Sequence, residues 1–433
     1  MRKFVLSLLL ALLALGASAQ REGVREEVRS DWNKASGLDC LYDMVPKAQS
    51  PAPKGYEVLY ISHCGRHGSR FAYTDKAYTV PLEMLRAAAR EGNLTERGVR
   101  LHSDMEAFWE KNRFRVGDLT PLGWRQHEFV AREMVRSFPS VFGKGCRVEA
   151  ASSPTIRSIV SMTAFLSAFG AAAPKAEVYG HQSTLDIQAA NPNYKKNPFR
   201  YKGPDIPFPY DENPEKFFLR RFPQYKEVLG RLFKDPDKGL GGRNPWDVYF
   251  NLYMLVAGMN SLEEEDRISF DGFLSADEFA TLWETDNYER LREYLPYRIS
   301  CSSVVEDIIE KADARLVSGE KGADLRFGHD HVVMGLLLLM DIDDFGKIPS
   351  GADDVVKYFQ SFRSPMAANL QFVFYTPKKC SREKDVLVKL LLNGDEARIG
   401  MLEPVRGPYY KWAEVRSYLE GRIALFVTER PRP

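Results

Sequence analysis

The stretch "EVLYISHCGRHGSR", residues 57–70, begins with a short, largely apolar segment and ends in a cluster of histidine and arginine. Residues 57–62 are typical of a strand that is buried on both faces of a parallel sheet. In open α/β sheets, ligands bind outside the carboxyl ends of the strands. The polar side chains that we expect at this strand end are His63, Arg66, His67 and Arg70.

Strand and helix patterns alternate in the residues that surround this stretch. Residues 146–153 form a second predicted strand, which continues into a helix with Ser153 as its N-cap and Pro154 in its first turn. The other elements predicted before residue 185 are a helix at 120–138 and a strand at 176–180.

The alternation resumes after residue 300. Residues 303–316 are predicted to form an amphipathic helix that opens with a capping box from Ser303 to Glu306. A strand, a helix and two more strands follow in that order: "ADLRFG" (323–328), "VVMGLLLLM" (332–340), "NLQFVFYT" (369–376) and "DVLVKLLLN" (385–393).

The segment between these two halves differs from both. Residues 185–300 begin with a proline-rich connection, show no clear strand and carry a capping box from Ser275 to Glu278. We therefore predict an α/β fold with a mostly parallel central sheet flanked by helices, interrupted by an inserted, mainly α-helical cap at 185–300. Residues 20–184 and 301–433 would together form the α/β domain.

The first 19 residues are predicted to be a secretory signal peptide. Two cations precede an apolar run, and Ala17, Ser18 and Ala19 supply a small-residue cleavage site. A membrane anchor would need about 20 apolar residues, which is longer than this run. We expect a periplasmic or secreted protein that does not insert into the membrane after cleavage.

The mature chain is nearly neutral. The leader carries two of the 60 Lys and Arg and none of the 59 Asp and Glu, so 58 cations against 59 anions leave a formal charge of −1. Such a chain has no global field for nucleic acid, and any anion recognition must be local. Five cysteines remain, an odd number that leaves at least one thiol free and the pairing undetermined: Cys40, Cys64, Cys146, Cys301 and Cys380.

Two further strand ends are polar in the same way as the first. The second leads within one helical turn to Arg157, although the first turn of a helix is positively polarised and disfavours a cation. The third ends in His329, Asp330 and His331. Local rules broken in this way are expected at functional sites.

Together, these strand ends predict a site that binds and transfers a phosphoryl group. Arginine forks fit phosphate oxygens, and helix N-termini add N–H donors. His67 is the candidate nucleophile, because a neutral imidazole can attack phosphorus. Asp330 is the candidate acid that protonates the departing oxygen. We expect His63 to support the site from the core rather than act in it.

The segments "RHGSR" (66–70), "SSPTIR" (152–157) and "GHD" (328–330) resemble, in order, the three signatures of the histidine acid phosphatases. That family includes phytases and multiple inositol polyphosphate phosphatases, and "LTPLGWRQH" (119–127) resembles a further family segment. The resemblance implies a covalent phosphohistidine on His67 and Asp330 as the acid, with no metal or other cofactor. The residues that would hold the phosphoryl group are Arg66, Arg70, Arg157 and His329.

Two departures from the family pattern concern the substrate. Ala72 stands where the family usually has proline, and His329-Asp330-His331 stands where animal inositol polyphosphate phosphatases carry His-Ala-Glu. Further candidate substrate contacts are Tyr73, His331, Lys195 and Lys196, although the two lysines also fit a solvated basic loop. We expect a small phosphate ester as substrate, inositol polyphosphates first and sugar phosphates or other small monoesters as the alternative.

Other classes of protein remain open from the sequence. A metallohydrolase could use His63, His67, His329 and Asp330 as ligands, although three arginines would repel the metal. A periplasmic binding protein for phosphate esters would need neither a nucleophile nor an acid. A mutase or transferase could also use a phosphohistidine, but an exported protein has little access to phosphorylated metabolites. Nothing in the sequence predicts the oligomeric state.

Overall fold

The computed structural model describes residues 19–182, 190–192, 208–378 and 385–426. In this part of the chain, eight strands form one sheet in the order β3-β2-β4-β1-β5-β6-β7, with β8 paired to β6. The strands are β1 (Tyr56–Arg66), β2 (Arg147–Ser152), β3 (Glu177–Gln182), β4 (Gly322–Gly328), β5 (Asn369–Pro377), β6 (Leu387–Leu392), β7 (Asp395–Ala397) and β8 (Tyr410–Lys411).

The sheet has a parallel half and an antiparallel half. Strands β3, β2, β4 and β1 are parallel, whereas β5 and the strands beyond it pair antiparallel. Strand β4 lies between β1 and β2, with Gly328 opposite Arg66 and Phe327 opposite Ser152. The carboxyl ends of these three strands therefore meet at one edge of the sheet. The α/β class is confirmed, and the sheet is mixed in direction.

Several of the helices that surround the sheet begin at a side-chain cap. Side chains that accept a hydrogen bond from the first helical turn belong to Asp31, Thr95, Thr120, Asn213, Asp235, Asn244 and Ser275. The helices are α1 (Trp32–Ala35), α2 (Lys76–Arg90), α3 (Glu96–Asn112), α4 (Pro121–Ser137), α5 (Ile156–Ala172), α6 (Pro214–Arg221), α7 (Tyr225–Leu229), α8 (Pro236–Leu240), α9 (Pro245–Gly258), α10 (Ala276–Ser300), α11 (Ser302–Ser318), α12 (Asp330–Met340), α13 (Val355–Tyr358) and α14 (Trp412–Phe426).

Strand β1 is buried on both faces. Tyr60 packs into an apolar cluster with α11, α12 and α14, and Ile61 packs into a second cluster with α4 and α5. A third cluster joins α2 and α3 to the helices between Pro214 and Trp283. Helices thus cover both faces of the parallel half, which explains why residues 57–62 carry a continuous apolar pattern.

Most elements predicted from the sequence are present, with β1 longer than expected. The strand continues through His63 and Cys64 to Arg66, because its edge pairs on one side with β4 and on the other with β5 up to Gly65. The first polar cluster therefore belongs partly to the strand itself. The capping box from Ser275 to Glu278 is confirmed at the start of α10.

Two predicted helix starts are wrong. Helix α5 begins at Ile156 after Thr155, and Ser153 is not its N-cap because the Ser153 hydroxyl contacts His329 instead. Helix α11 has Cys301 in the N-cap position, so Ser303 lies inside the helix. Cys301 keeps helical dihedral angles between α10 and α11, whereas a capping residue needs an extended backbone.

The helical character of the segment between β3 and β4 agrees with the predicted insertion, whose boundaries at 185 and 300 stay a prediction. Residues 1–18 of the predicted leader, Lys195, Lys196 and Cys380 lie outside the described residues. Within the described ranges, no helix is both long and apolar enough to cross a membrane. Four cysteines there are buried and carry free thiols: Cys40, Cys64, Cys146 and Cys301.

Two buried histidines lie behind the polar edge of the sheet. His63 on β1 and His127 on α4 both pack against the ring of Phe327 and are at most 2% exposed. Burial lowers the pKa of each imidazole from 6.5 to about 3. Both histidines are therefore neutral in the folded protein, as expected for core residues.

Neutral buried histidines should make the fold sensitive to acid. His127 of the unfolded chain takes up a proton below about pH 6.5, whereas folded His127 does not until about pH 3. The free energy of unfolding therefore decreases as the pH is lowered through that window. We expect His127→Leu to reduce this slope by about 1.4 kcal/mol per pH unit between about pH 6 and 4.5. Urea unfolding at several pH values measures it.

The internal control is the same pair of proteins at about pH 8, where neither state of His127 binds a proton and the two slopes should coincide. Equal slopes of wild type and variant across the acidic window would contradict a neutral, buried His127.

Candidate active site

A cavity of about 440 Å³ opens where the carboxyl ends of β1, β2 and β4 face helix α10. Residues on the sheet side of the cavity are His67, Arg70, Thr155, Arg157, His329, Asp330 and His331. Residues contributed by α10 are Asp286, Arg290, Glu293, Tyr294 and Tyr297. The cavity is thus shared by the α/β domain and the predicted cap.

Arg66 is fully buried at the end of β1. Its Nη1 donates to the carbonyl oxygens of Leu38 and Ser364, both at 2.6 Å. Its Nη2 lies 3.8 Å from Asp330 Oδ2, and neither Nη2 nor Nε has a hydrogen-bond partner among the described residues. Two bonds therefore fix the guanidinium beside Asp330 and leave two of its nitrogen atoms as buried, unpaired donors among the described residues.

Arg70 is oriented by a carboxylate and an aromatic ring. Its Nη1 lies 3.5 Å from Oδ1 of the buried Asp39, and its guanidinium carbon lies 5.2 Å from the centre of the Tyr73 ring. Asp39 comes from the short 3-10 turn Gly37–Asp39. Tyr73, a weaker candidate from the sequence, thus lies in the cavity wall beside Arg70.

Arg157 occupies the second position of α5, where the helix end is positively polarised. Burial and the neighbouring Arg70 lower the pKa of its guanidinium to about 10, despite the opposing effect of Asp330. Burial and Arg70 also lower the pKa of Arg66. A lowered arginine pKa indicates that positive charges have been brought together with too little negative charge to balance them, as in a site for an anion.

His67 is held with one ring nitrogen pointing at the protein and the other free. Its Nδ1 lies 2.9 Å from the carbonyl oxygen of Gly68, which can only accept, so Nδ1 carries the proton. The lone pair is then on Nε2. Burial, followed by Arg157, Arg66 and Arg70, lowers the pKa of His67 well below its usual value. The imidazole is therefore neutral in mildly acidic solution.

His329 is packed edge-on against His67, with ring centres 5.7 Å apart. Its Nε2 lies 3.0 Å from the Ser153 hydroxyl and 3.3 Å from the Thr155 hydroxyl. On its other side, the ring of His331 stacks at 5.2 Å. Burial, followed by His331 and Arg157, lowers the pKa of His329 well below its usual value.

Asp330 is the first residue of α12, at the N-terminal end of the helix. Its Oδ1 accepts from the His331 backbone N–H at 3.0 Å, and its Oδ2 accepts from the Tyr294 hydroxyl at 3.0 Å. Burial alone would raise the pKa of this carboxyl, but Arg66 and His331 outweigh it and hold the pKa well below the usual range. Asp330 is therefore an anion when no ligand is bound.

The loop that follows β1 is fixed by the start of α4. The Ser69 backbone N–H donates to Gln126 Oε1 at 2.8 Å, and both the backbone N–H and the hydroxyl of Thr120 donate to the Ser69 carbonyl oxygen. A Cβ on Gly68 would lie 2.5 Å from the carbonyl oxygen of Gly123. The glycine after His67 thus allows a backbone-to-backbone contact, and the segment 119–127 serves to hold this loop.

The structure brings together all six principal residues predicted from the sequence: Arg66, His67, Arg70, Arg157, His329 and Asp330. Tyr73 and His331 lie in the same cavity. Asn191, whose Oδ1 lies 3.1 Å from His331 Nε2, precedes Lys195 by four residues, and the two lysines themselves lie outside the described residues. The catalytic and binding roles of these residues stay predictions.

Several cavity residues were not found from the sequence. Asp39 lies on an irregular lead-in segment, and the charged residues on α10 follow one another like an ordinary solvated helix face. In the structure, Arg290 is buried and pairs with Asp286 at 3.1 Å and with Glu293 at 2.9 Å. The sequence offered no signal for these residues, because the burial of this charged helix is visible only in the structure.

A metal site was one alternative from the sequence. Among the described residues, no group of three or more His, Cys, Asp or Glu side chains is arranged to hold a metal ion. His63 packs between Phe165 and Phe327 in the core, behind the cavity.

The fold is that of phytases and inositol polyphosphate phosphatases of known structure. The multiple inositol polyphosphate phosphatase of Bifidobacterium longum, in complex with inositol hexasulfate, superimposes with a TM-score of 0.70 and is 19% identical, covering 89% of this chain and 97% of that chain. This likeness confirms the fold that the resemblance to histidine acid phosphatases implies.

Two phytases are similar at lower identity. The phytase from D. castellii gives a TM-score of 0.60 at 14% identity, covering 90% of this chain and 85% of that chain. The Hafnia alvei phytase in complex with tartrate gives 0.51 at 10% identity, covering 86% and 98%. No family model and no curated protein matches the chain.

We expect Gly68→Ala to disturb the site through packing alone. The new methyl group would collide with the Gly123 backbone, which cannot move aside without shifting the start of α4. Overpacking of this kind costs about 1–3 kcal/mol of unfolding free energy. Because Arg66 and Arg70 flank the loop, affinity for inorganic phosphate should fall about tenfold, equivalent to ~1.4 kcal/mol. Thermal unfolding and titration calorimetry measure both effects.

Gly143→Ala is the matched control, since no heavy atom lies within 4 Å of a Cβ at that position. The control should keep the unfolding temperature and the phosphate affinity of the wild type. Normal phosphate binding by Gly68→Ala would show that the close approach to Gly123 is dispensable.

Proposed function

We propose that the chain is an exported phosphomonoesterase of the histidine acid phosphatase type that acts through a phosphohistidine on His67. The observation that carries this proposal is the state of His67: a neutral imidazole, protonated on Nδ1, within a group of three buried or half-buried arginines. Such an imidazole has a nucleophilic nitrogen at acidic pH, where a free histidine would be protonated.

In the first step, the phosphoryl group of the ester would be bound by Arg66, Arg70, Arg157 and His329. The Nε2 lone pair of His67 attacks phosphorus while the bond from phosphorus to the ester oxygen breaks. Protonated Asp330 gives its proton to that oxygen, so the alcohol leaves neutral and Asp330 becomes a carboxylate. The arginines stabilise the negative charge on the three equatorial oxygens during transfer.

In the second step, water attacks the phosphohistidine. The Asp330 carboxylate takes a proton from the water as the new oxygen–phosphorus bond forms, and the bond from phosphorus to Nε2 breaks. His67 returns to the neutral state, and phosphate leaves. The same carboxyl group thus acts first as an acid and then as a base, and the proton count is unchanged after one turnover.

The low pKa of Asp330 in the unliganded protein fits this scheme. Arg66 supplies the largest stabilisation of the carboxylate. A bound phosphate dianion would neutralise Arg66 and repel the Asp330 carboxylate, and both effects raise the pKa of the carboxyl group. Substrate binding would therefore be coupled to proton uptake by Asp330, which favours activity in acidic solution.

Inositol polyphosphates are the favoured substrates. The fold is shared with the Bifidobacterium longum protein, whose complex contains inositol hexasulfate, and a cavity of about 440 Å³ has room for a substituted ring. The alternative is a broader acid phosphatase acting on sugar phosphates. The α10 wall favours this alternative. Arg290, the arginine that α10 contributes to the cavity, is already paired with Asp286 and Glu293 and is therefore less able to bind a further phosphate group of a polyphosphate. A phosphate-release panel with inositol hexakisphosphate, sugar phosphates and nucleotides distinguishes them.

The phosphohistidine can be trapped directly. Protein quenched in alkali, where the bond from phosphorus to imidazole nitrogen is stable, should retain label from a ³²P-labelled ester on His67 during turnover, and His67→Ala should lose at least about a thousandfold in kcat because the nucleophile is absent. A binding protein without catalysis would release no phosphate from any ester while still binding one. Full activity of His67→Ala would exclude the proposed mechanism.

Asp330→Asn should slow the reaction in proportion to how much the leaving group needs a proton. We expect kcat for a sugar or inositol phosphate to fall about a hundredfold or more, and kcat for nitrophenyl phosphate to fall far less, since nitrophenolate departs without protonation. Steady-state kinetics with both esters measure the difference. Equal slowing of the two substrates would remove Asp330 from the role of acid.

A further inference from the structure

Helix α10 supplies a direct contact to the proposed acid. The hydroxyl of Tyr294, a residue that is 3% exposed, donates to Asp330 Oδ2 at 3.0 Å. The sequence pattern gives no sign of this contact, because Tyr294 precedes Asp330 by 36 residues and lies in the predicted cap. It joins the cap to the catalytic carboxyl group through one buried hydrogen bond.

The partners of Asp330 differ in what they can do when the carboxyl group gains a proton. The His331 backbone N–H at Oδ1 and the Arg66 guanidinium near Oδ2 can only donate, so both favour the carboxylate. A tyrosine hydroxyl can donate to a carboxylate and can accept from a carboxylic acid. The imidazole Nδ1 of His331 lies 3.7 Å from Oδ1, beyond hydrogen-bond distance. Among the described groups within hydrogen-bond distance of the Asp330 carboxyl group, Tyr294 alone can keep its bond in both protonation states.

We propose that Tyr294 is a positioning residue that holds Asp330 in place as it alternates between acid and base. The inference rests on the proposed function, in which Asp330 gives and regains one proton per turnover. Tyr294 suits the task because burial, followed by the nearby Asp330, raises the pKa of its phenol well above the usual value, so the hydroxyl stays protonated. Its backbone is fixed in the interior of a 25-residue helix.

The hydroxyl of Tyr294 has two separable effects. As a donor it stabilises the carboxylate, so its removal should raise the pKa at which Asp330 loses its proton. As a fixed contact it limits the rotation of the carboxyl group, so its removal should also lower the rate of proton delivery. The first effect extends activity to higher pH, whereas the second lowers the maximum rate.

The test is Tyr294→Phe, which removes one oxygen and keeps the ring. We expect kcat for a sugar or inositol phosphate to fall about tenfold and kcat for nitrophenyl phosphate to change less than about twofold. The alkaline limb of the pH profile for the poor leaving group should move to higher pH. Unchanged kinetics with an unchanged pH profile, or equal slowing of both esters, would overturn the proposal.

Two further variants test whether the effect of Tyr294→Phe is specific to its contact with Asp330. In an Asp330→Asn background, Tyr294→Phe should have no additional effect on the poor leaving group, because the residue acts only through Asp330. An additional tenfold loss there would contradict the proposal. Tyr288→Phe removes a hydroxyl from the same helix that donates to the Glu212 carbonyl oxygen, and it should leave the ratio of the two rates unchanged.

A measurement without turnover separates this inference from the proposed function. Affinity for inorganic phosphate should fall as pH rises through the point where Asp330 ionises, since a carboxylate repels the ligand. Tyr294→Phe should move that midpoint to higher pH even if no ester is hydrolysed. An unshifted midpoint would overturn the role of Tyr294. A shifted midpoint in a protein that binds phosphate but hydrolyses no ester would instead overturn the proposed function, while the effect of Tyr294 on the protonation of Asp330 would stand.

Discussion

The parallel pairing of β1 with β4 is the constraint on which the site depends. In this register Arg66 lies opposite Gly328, and the His67 backbone N–H donates to the Gly328 carbonyl oxygen at 3.0 Å. The proposed nucleophile after one strand and the proposed acid after the other are therefore placed by main-chain hydrogen bonds, without any help from their side chains. A shift of the pairing by one residue would move the side chains of one strand to the opposite face relative to the other and separate the two groups.

The same edge of the sheet concentrates positive charge that the protein only partly balances. Arg70 has Asp39 and Arg66 has the more distant Asp330, while Arg157 has no ion pair to a carboxylate among the described residues. Burial, together with the neighbouring cations, lowers the pKa of Arg157, His67 and His329. An anion at this edge would balance these charges, which are already in place in the unliganded protein.

The α/β fold and the sheet-edge part of the candidate site could be predicted from the sequence, because the six principal site residues follow predicted strands. The apolar run before "SHCGRHGSR" indicates a buried strand, and the polar residues after two other strands must then meet it at one sheet edge. The prediction of Ser153 as the N-cap of α5 is wrong for a physical reason. Ser153 had the right residue type for capping, but a tertiary contact with His329 took its hydroxyl, and sequence rules for caps consider only the local backbone.

The part that could not be predicted is the wall contributed by α10. Asp286, Arg290 and Tyr294 are spaced as on any helix, and their arrangement in the cavity is decided by how the segment from 208 to 300 folds back over the sheet. This dependence has a functional meaning. The residues proposed to transfer phosphate come from the sheet edge, whereas the hydrogen bond to Oδ2 of Asp330 and the opposite wall of the cavity come from α10. Under the proposed function, a change in α10 that shifts Tyr294 would therefore also alter how firmly the acid is held.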